Sequence, residues 1–266
     1  MENPDNVSLI TKLEQTAKPI AIVIGVSYGA GVMISNGHLA SLGLMDFDLL
    51  RPKAVLSGLW FIVFLAVGVV AEESIQRSYM MKEIPFTWRL GNALVAFCGA
   101  FFFYFFAFVF AHAGQHADRA LVRAWILVPV FMFVLAGTAV TAVQYATKEW
   151  RRRKTDQRVG PTSAAFFIAH CMFAAVALVL FASLFIAHFY RFVSQEYGGG
   201  KPRSVQIAVS DKAASALKGM SVVTSDNLVE GPVELIHETS DDVAFRSNGG
   251  NTIIVPRREI LAIRIK

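Results

Sequence analysis

Five long, uncharged apolar runs constrain this chain more than any other feature of its sequence. None of them contains Asp, Glu, Lys or Arg. A helix needs about 20 apolar residues to cross roughly 30 Å of hydrocarbon, and every run is near or above that length. The runs cover residues 20–44, 54–71, 92–113, 124–146 and 164–190. The sequence therefore predicts a membrane all-α helical bundle of about five transmembrane helices.

Composition agrees with a membrane protein. Only 17% of the residues are charged, against about a quarter in ordinary soluble domains. The net charge of +5 is concentrated in one segment, 147–163, where six Lys or Arg face two acids. This clustering favours contact with anionic lipid and gives no reason to expect a nucleic-acid partner. The predicted lipid contacts are Lys148, Arg151, Arg152, Arg153 and Lys154.

The distribution of Lys and Arg also predicts an orientation. The N-terminal segment 1–19 and the loops 72–91 and 147–163 together carry 11 of these residues, and the short segments next to the helix ends on the opposite side, 51–53, 119–123 and 191–203, carry 7. Cytoplasmic loops are enriched in Lys and Arg. We therefore expect a multi-pass cell-membrane protein whose N-terminus and 147–163 loop are cytoplasmic and whose C-terminal domain is extracytoplasmic. The polar second half of the first run leaves open whether that run fully spans.

A separate soluble module follows the transmembrane domain, which occupies 20–192. Three glycines within 193–203 predict a flexible linker, and 204–266 then alternates apolar with polar residues, as half-buried strands do. Asp211 is predicted to cap a short helix ending at Lys218. Residues 248–251, Asn-Gly-Gly-Asn, are typical of a hairpin turn. The alternating positions are Val205, Ile207 and Val209, then Val233 and Leu235, Val243 and Phe245, Ile253 and Val255, and finally Leu261, Ile263 and Ile265. A small C-terminal all-β domain of SH3-like or Sm-like type is the prediction.

The chain carries no recognisable catalytic constellation. Lys201 follows the glycines but is followed by Pro202, which does not fit a phosphate-binding loop. The acidic turn at 237–242 is expected to be solvated rather than to bind metal. Charged residues within membrane segments usually mark ion or proton paths, and the five runs have none. We therefore expect a non-enzymatic protein without a cofactor, and not an ion-coupled transporter.

Small and polar residues predict where helices meet. On the first run they follow the small-xxx-small spacing that allows close helix contact. On the fourth run a polar stripe includes Thr138 and Thr141. Packing within the chain, a subunit interface and a pore lining are the three alternatives for these positions. The first-run residues are Gly25, Ser27, Gly29 and Gly31.

Histidines are the one signal for a cofactor. Four of the six fall near the predicted outer ends of the helices. Of these, His112 and His116 share one helical face, and His188 lies at a matching depth, as a haem or metal site would require. Interfacial histidines are also ordinary residues at a membrane surface, so no metal is favoured. The fourth histidine is His38.

These features predict an oligomeric, multi-spanning protein that acts as a sensor or passive pore coupled to its small β domain. Its expected partners are membrane lipids, further copies of itself and a protein bound by the C-terminal domain. A haem- or metal-binding membrane redox protein and a membrane scaffold are the alternative functions.

Overall fold

A computed structural model describes residues 4–44, 52–81, 83–112, 119–155, 161–220, 222, 224–225, 227–229, 233–247 and 251–265. The chain divides into two compact units. The first contains the described residues of Met1–Gly37 and Phe47–Phe189, and the second contains those of His38–Asp46 and Tyr190–Lys266. The end of the first helix thus groups with the C-terminal module.

Five long helices account for the predicted bundle. They are α1 (Pro4–Ser41), α2 (Pro52–Met80), α3 (Phe86–Ala111), α4 (Arg119–Thr155) and α5 (Pro161–His188). Within the described residues, each of α1 to α4 contains a stretch long and apolar enough to cross a membrane, and α5 forms such a stretch together with the short turn that follows it. The stretches are Ala17–Ser41, Lys53–Met80, Phe86–Ala111, Ile126–Arg152 and Ala164–Phe192. The predicted fold class, five candidate membrane helices followed by a small β domain, is confirmed.

The helices differ from the uncharged runs at three places. The polar half of the first run stays helical to Ser41, whose hydroxyl donates to the His38 carbonyl at 2.6 Å. The helix α2 continues past the predicted end at residue 71 and includes Glu72. The predicted basic loop is helical up to Thr155, which places several cations at the negative end of the α4 dipole.

Aromatic side chains form much of the bundle core. The rings of Phe64, Tyr104 and Phe185 are fully buried, and the Tyr104 hydroxyl donates to the Phe64 carbonyl at 2.7 Å. On the Phe-rich helix α3, Tyr104 and Phe108 face inward at a spacing of four, while Phe102 and Phe106 are exposed. One face of α3 therefore fills the core, and much of the remaining surface is available to lipid.

Helices α1 and α2 cross at two glycines. A Cβ added to Gly31 would overlap the carbonyl oxygen of Ala54, and one added to Gly58 would overlap the carbonyl oxygen of Ser27. Close approach of the two backbones therefore depends on these missing side chains.

An antiparallel β half-barrel makes up most of the second unit. Its strands are β1 (Arg203–Val209), β2 (Thr224–Ser225), β3 (Leu228–Val229), β4 (Val233–Glu238), β5 (Asp242–Arg246), β6 (Thr252–Pro256) and β7 (Ile260–Ile265), and α6 (Asp211–Gly219) follows β1. In the described part, strand order is β2-β3-β1-β4-β5-β6, and β7 pairs with β1. The strand β1 is central because it also pairs with β3 and β4.

The half-barrel core follows the alternation in the sequence. All the alternating residues predicted for β1, β4, β5 and β6 are buried, while Leu261 and Ile265 on β7 are exposed. Ser210, rather than Asp211, caps α6 by accepting from the Ala213 amide at 3.2 Å. Residues 248–250 of the predicted hairpin turn lie outside the described residues, although the flanking strands pair from Arg246 and Thr252 onward.

The predicted flexible linker is a compact turn. The Gly200 amide donates to the Tyr190 carbonyl at 2.8 Å, and the Lys201 amide donates to the Val193 carbonyl at 2.9 Å. Gly198 adopts a left-handed conformation with φ of 79°, and a Cβ on Gly199 would overlap Val193. Glycine therefore permits tight folding here rather than flexibility.

Candidate functional sites

The last turn of α1 forms an apolar cluster with the half-barrel. Leu39 and Leu44 are buried together with Ile236 of β4 and Ala244 of β5, and Leu42 packs against them. We call the cluster of Leu39, Leu44, Ile236 and Ala244 the anchor. The bulge between Leu235 and His237 explains how Ile236 reaches the anchor while Leu235 points into the barrel core.

His38 lies beside the anchor in the same unit. Its side chain is buried, and its ring meets the Tyr190 ring edge to face, with centroids 5.3 Å apart. A Cβ on Gly200 would lie 2.7 Å from both His38 Nε2 and Tyr190 Cε1, so the compact turn closes over the imidazole. Gln195 adds a hydrogen bond of 3.2 Å to the Ile236 carbonyl. The residues after α5 thereby hold the end of α1 against the half-barrel.

Small residues of α1 face two ways. Ser27 and Gly31 lie at the crossing with α2. An added Cβ on Gly25 or Gly29 meets nothing within 4 Å, so these two positions leave an open face on the bundle. The sequence pattern does not separate the two pairs. The partner of Gly31 was detectable, since Ala54 and Gly58 on the second run share the same spacing.

The polar stripe of α4 makes both intrahelical and interhelical bonds. The Thr138 hydroxyl donates to the Val134 carbonyl of its own helix at 2.8 Å. The Thr141 hydroxyl accepts from Gln76 of α2 at 3.0 Å. Both threonines line an open groove of about 490 Å³ that also includes Glu72. Sequence reasoning missed Glu72 and Gln76, because it placed both in a loop.

The histidines at the predicted outer helix ends of the bundle pack against aromatic rings. His112 is buried, its Nδ1 lies 2.9 Å from the Phe108 carbonyl, and its ring stacks on Phe108 at 5.6 Å between centroids. His188 also approaches Phe108, at 5.8 Å. His116 lies outside the described residues. Within the described part, no three His, Cys, Asp or Glu side chains come together as a metal-binding group.

The basic end of α4 is open to solvent or headgroups. Lys148, Arg151 and Arg152 are exposed, and the side chains of Arg153 and Lys154 lie outside the described residues. Within the half-barrel, Glu238 of the predicted solvated turn pairs with Arg257 at 3.3 Å, an arrangement that serves the fold.

Comparison with known proteins returned no match to any family model, curated protein or solved structure.

Proposed function

We propose that this protein is a multi-pass membrane sensor. The half-barrel is its binding module, and α1 transmits conformational changes of the half-barrel to the helical bundle. The observation that carries the proposal is the anchor, which places the end of a candidate membrane helix in an apolar cluster with β4 and β5. A change in the half-barrel that moves these strands must also act on α1. The helix then provides one continuous path from the anchor to its crossing with α2.

The sensor is favoured over a passive pore lined by α1. The α1 residues Ser27 and Gly31 are covered by α2, so they are not available to line a pore. The redox alternative gains no support either, because Phe108 occupies the space beside both His112 and His188.

Coupling can be tested with a cysteine reporter at the α1–α2 crossing. The native Cys98 and Cys171 are replaced, and Ser27→Cys is added to the full chain in detergent. Loosening the half-barrel core with Phe245→Ala should accelerate modification of this cysteine by a thiol reagent, because α1 loses its anchor. Leu39→Ala should accelerate the modification in the same way. Adding Phe245→Ala to Leu39→Ala should increase the modification rate little further. The matched control is Ile254→Ala, on an exposed position of the same sheet.

An unchanged rate in both Phe245→Ala and Leu39→Ala would show that the half-barrel does not act on the bundle. The protein would then be better described as a scaffold.

We further propose that the half-barrel is extracytoplasmic and the basic end of α4 is cytoplasmic. The six Lys and Arg of 147–163 support this orientation. In a chain without native cysteines, Ser247→Cys should react with a membrane-impermeant thiol reagent on intact cells, and Thr155→Cys should react only after permeabilisation. The reverse pattern would invert the orientation.

A further inference from the structure

Two adjacent carboxylates, Glu72 and Glu73, lie within a candidate membrane span, on the part of α2 that extends beyond its uncharged run. Glu72 belongs to the span Lys53–Met80 and precedes the end of α2 by eight residues, or about 12 Å at 1.5 Å per residue. It meets α4 at Gly137, which lies well inside the span Ile126–Arg152. Ionisable groups at such positions are costly and usually have a function.

A side chain of its own helix and the backbone of α4 hold the Glu72 carboxylate in place. Glu72 Oε1 accepts from Gln76 Nε2 at 3.1 Å, and the same nitrogen donates to Thr141 Oγ1 at 3.0 Å. A Cβ on Gly137 would lie 3.0 Å from Glu72 Oε2, so the absence of a side chain lets the carboxylate lie directly against α4. These contacts orient Glu72 but bring it no positive charge.

Glu72 differs in this respect from its neighbour Glu73. The carboxylate of Glu73 is half-buried like that of Glu72, but it forms an ion pair with Arg77 one turn later. Among the described residues, no Lys or Arg pairs with Glu72. Glu72 is half-buried, and partial removal of a carboxylate from water without a counter-charge is unfavourable, so the site is suited to a ligand that carries a positive charge.

The groove beside Glu72 has walls that suit an organic cation. Its volume of about 490 Å³ is within the range for small-molecule sites. Phe133, Phe173 and Tyr145 line it, and the Tyr145 ring lies against His170 with centroids 5.4 Å apart. Aromatic faces attract cations, and they also bury apolar substituents. A bare metal ion would find few oxygen ligands on such walls.

We propose that the groove between α2, α4 and α5 binds a lipophilic organic cation, whose charge is met by Glu72 and whose apolar groups contact the aromatic walls. This inference does not rest on the sensor proposal, since no residue of the anchor takes part. A hydrophobic amine, or an ammonium or phosphonium compound that partitions into membranes, has the required chemistry.

Binding of tetraphenylphosphonium to the full chain in detergent micelles tests the proposal, with protein-free micelles as the blank. The tetraphenylborate anion has the same shape and the opposite charge. Saturable, stoichiometric binding of the cation and none of the anion is expected. Equal binding of both ions, or binding of neither, would overturn the proposal.

Two variants assign the binding to the groove. Glu72→Gln keeps the shape and the oxygen that accepts from Gln76, and we expect it to weaken cation binding by about tenfold or more, as loss of a close charge pair does. Tyr145→Leu leaves the carboxylate in place and should weaken binding by about threefold through loss of one aromatic face. Glu73→Gln is the matched control and should bind like the parent chain. Unchanged binding in both Glu72→Gln and Tyr145→Leu would place the cation elsewhere and refute the site.

Discussion

The bundle and the half-barrel are both built around apolar cores, but their sequences specify those cores differently. In the half-barrel, every second residue of β1 from Val205 onward is buried and the residues between are not, so burial follows directly from the alternation. In the bundle, apolar residues surround each helix. Val95 and Phe110 of α3 are strongly exposed, at 73% and 77%, while Phe108 is fully buried.

The difference arises from what surrounds each unit. Water penalises an exposed apolar side chain on a strand, so the pattern marks the core. Lipid imposes no such penalty on a membrane helix, and contact between helices is then decided by small residues and hydrogen bonds. Substitutions at glycines should therefore dominate in the bundle, and truncation of large side chains should dominate in the half-barrel.

The largest effect is expected at the α1–α2 crossing. Gly31→Leu forces a side chain into the backbone of Ala54, and neither helix can move away without losing the whole contact. We expect this variant to yield little or no monodisperse protein, as measured by size-exclusion chromatography in detergent. The matched control is Gly29→Leu, whose added side chain enters open space.

Gly29→Leu should retain the thermal stability of the parent chain. If the open face carrying Gly25 and Gly29 is a subunit interface, one of the alternatives that the sequence allows, the oligomer mass of Gly29→Leu should fall as well. Equal losses of folded protein in Gly31→Leu and Gly29→Leu would contradict the crossing as the reason for the glycine.

A smaller but still large effect is expected in the half-barrel core. Phe245 is fully buried, and Phe245→Ala removes its ring from the half-barrel core. The free energy of unfolding of the half-barrel should fall by about 3–5 kcal/mol. Denaturant unfolding followed by far-ultraviolet circular dichroism measures it. Ile254→Ala, at an exposed position on the next strand, should change it by less than about 0.5 kcal/mol.

The smallest effect is expected from a hydrogen bond between bundle helices. Thr141→Val removes the oxygen that accepts from Gln76 while keeping the side-chain shape. Such bonds contribute only about 0.6 kcal/mol on average in membrane proteins, so we expect a thermal shift of a few degrees at most. Thr138→Val is the control, because its hydroxyl donates within α4. A loss as large as that of Phe245→Ala would mean that polar contacts, rather than close packing, govern the bundle.

The regions that could be predicted share a clear local signal. The five runs without charge predict five helices, since each is long enough to cross a bilayer. The strands β1, β4, β5 and β6 follow from period-2 alternation, because one of their faces is buried in an aqueous domain. The sequence predicts too early an end for α2, because a carboxylate normally marks the point where a helix leaves the membrane for water. In α2 the carboxylate lies against a neighbouring helix, and the helix continues.

Among the site residues, too, those with a local sequence signal could be predicted and those defined by distant contacts could not. Ser27 and Gly31 could be recognised as contact residues from their spacing, but the same spacing also includes Gly25 and Gly29, which face away from the chain. His38 was grouped with His112 and His188 because all three end helices that are predicted to run outward. Its actual neighbours, Tyr190 and Gly200, are more than 150 residues distant in sequence, and no local pattern links them.

The sequence alone determined that this chain has five candidate membrane helices, a β domain after them and a strongly basic segment between the last two helices. These properties depend on the length of apolar runs and on alternation, which are local. Only the tertiary structure decided that α1 ends in the half-barrel unit, that α2 covers Ser27 and Gly31, and that Glu72 faces an aromatic groove. Those relations depend on which helix faces contact each other. When a helix is apolar on every side, its sequence does not show which face contacts a neighbouring helix.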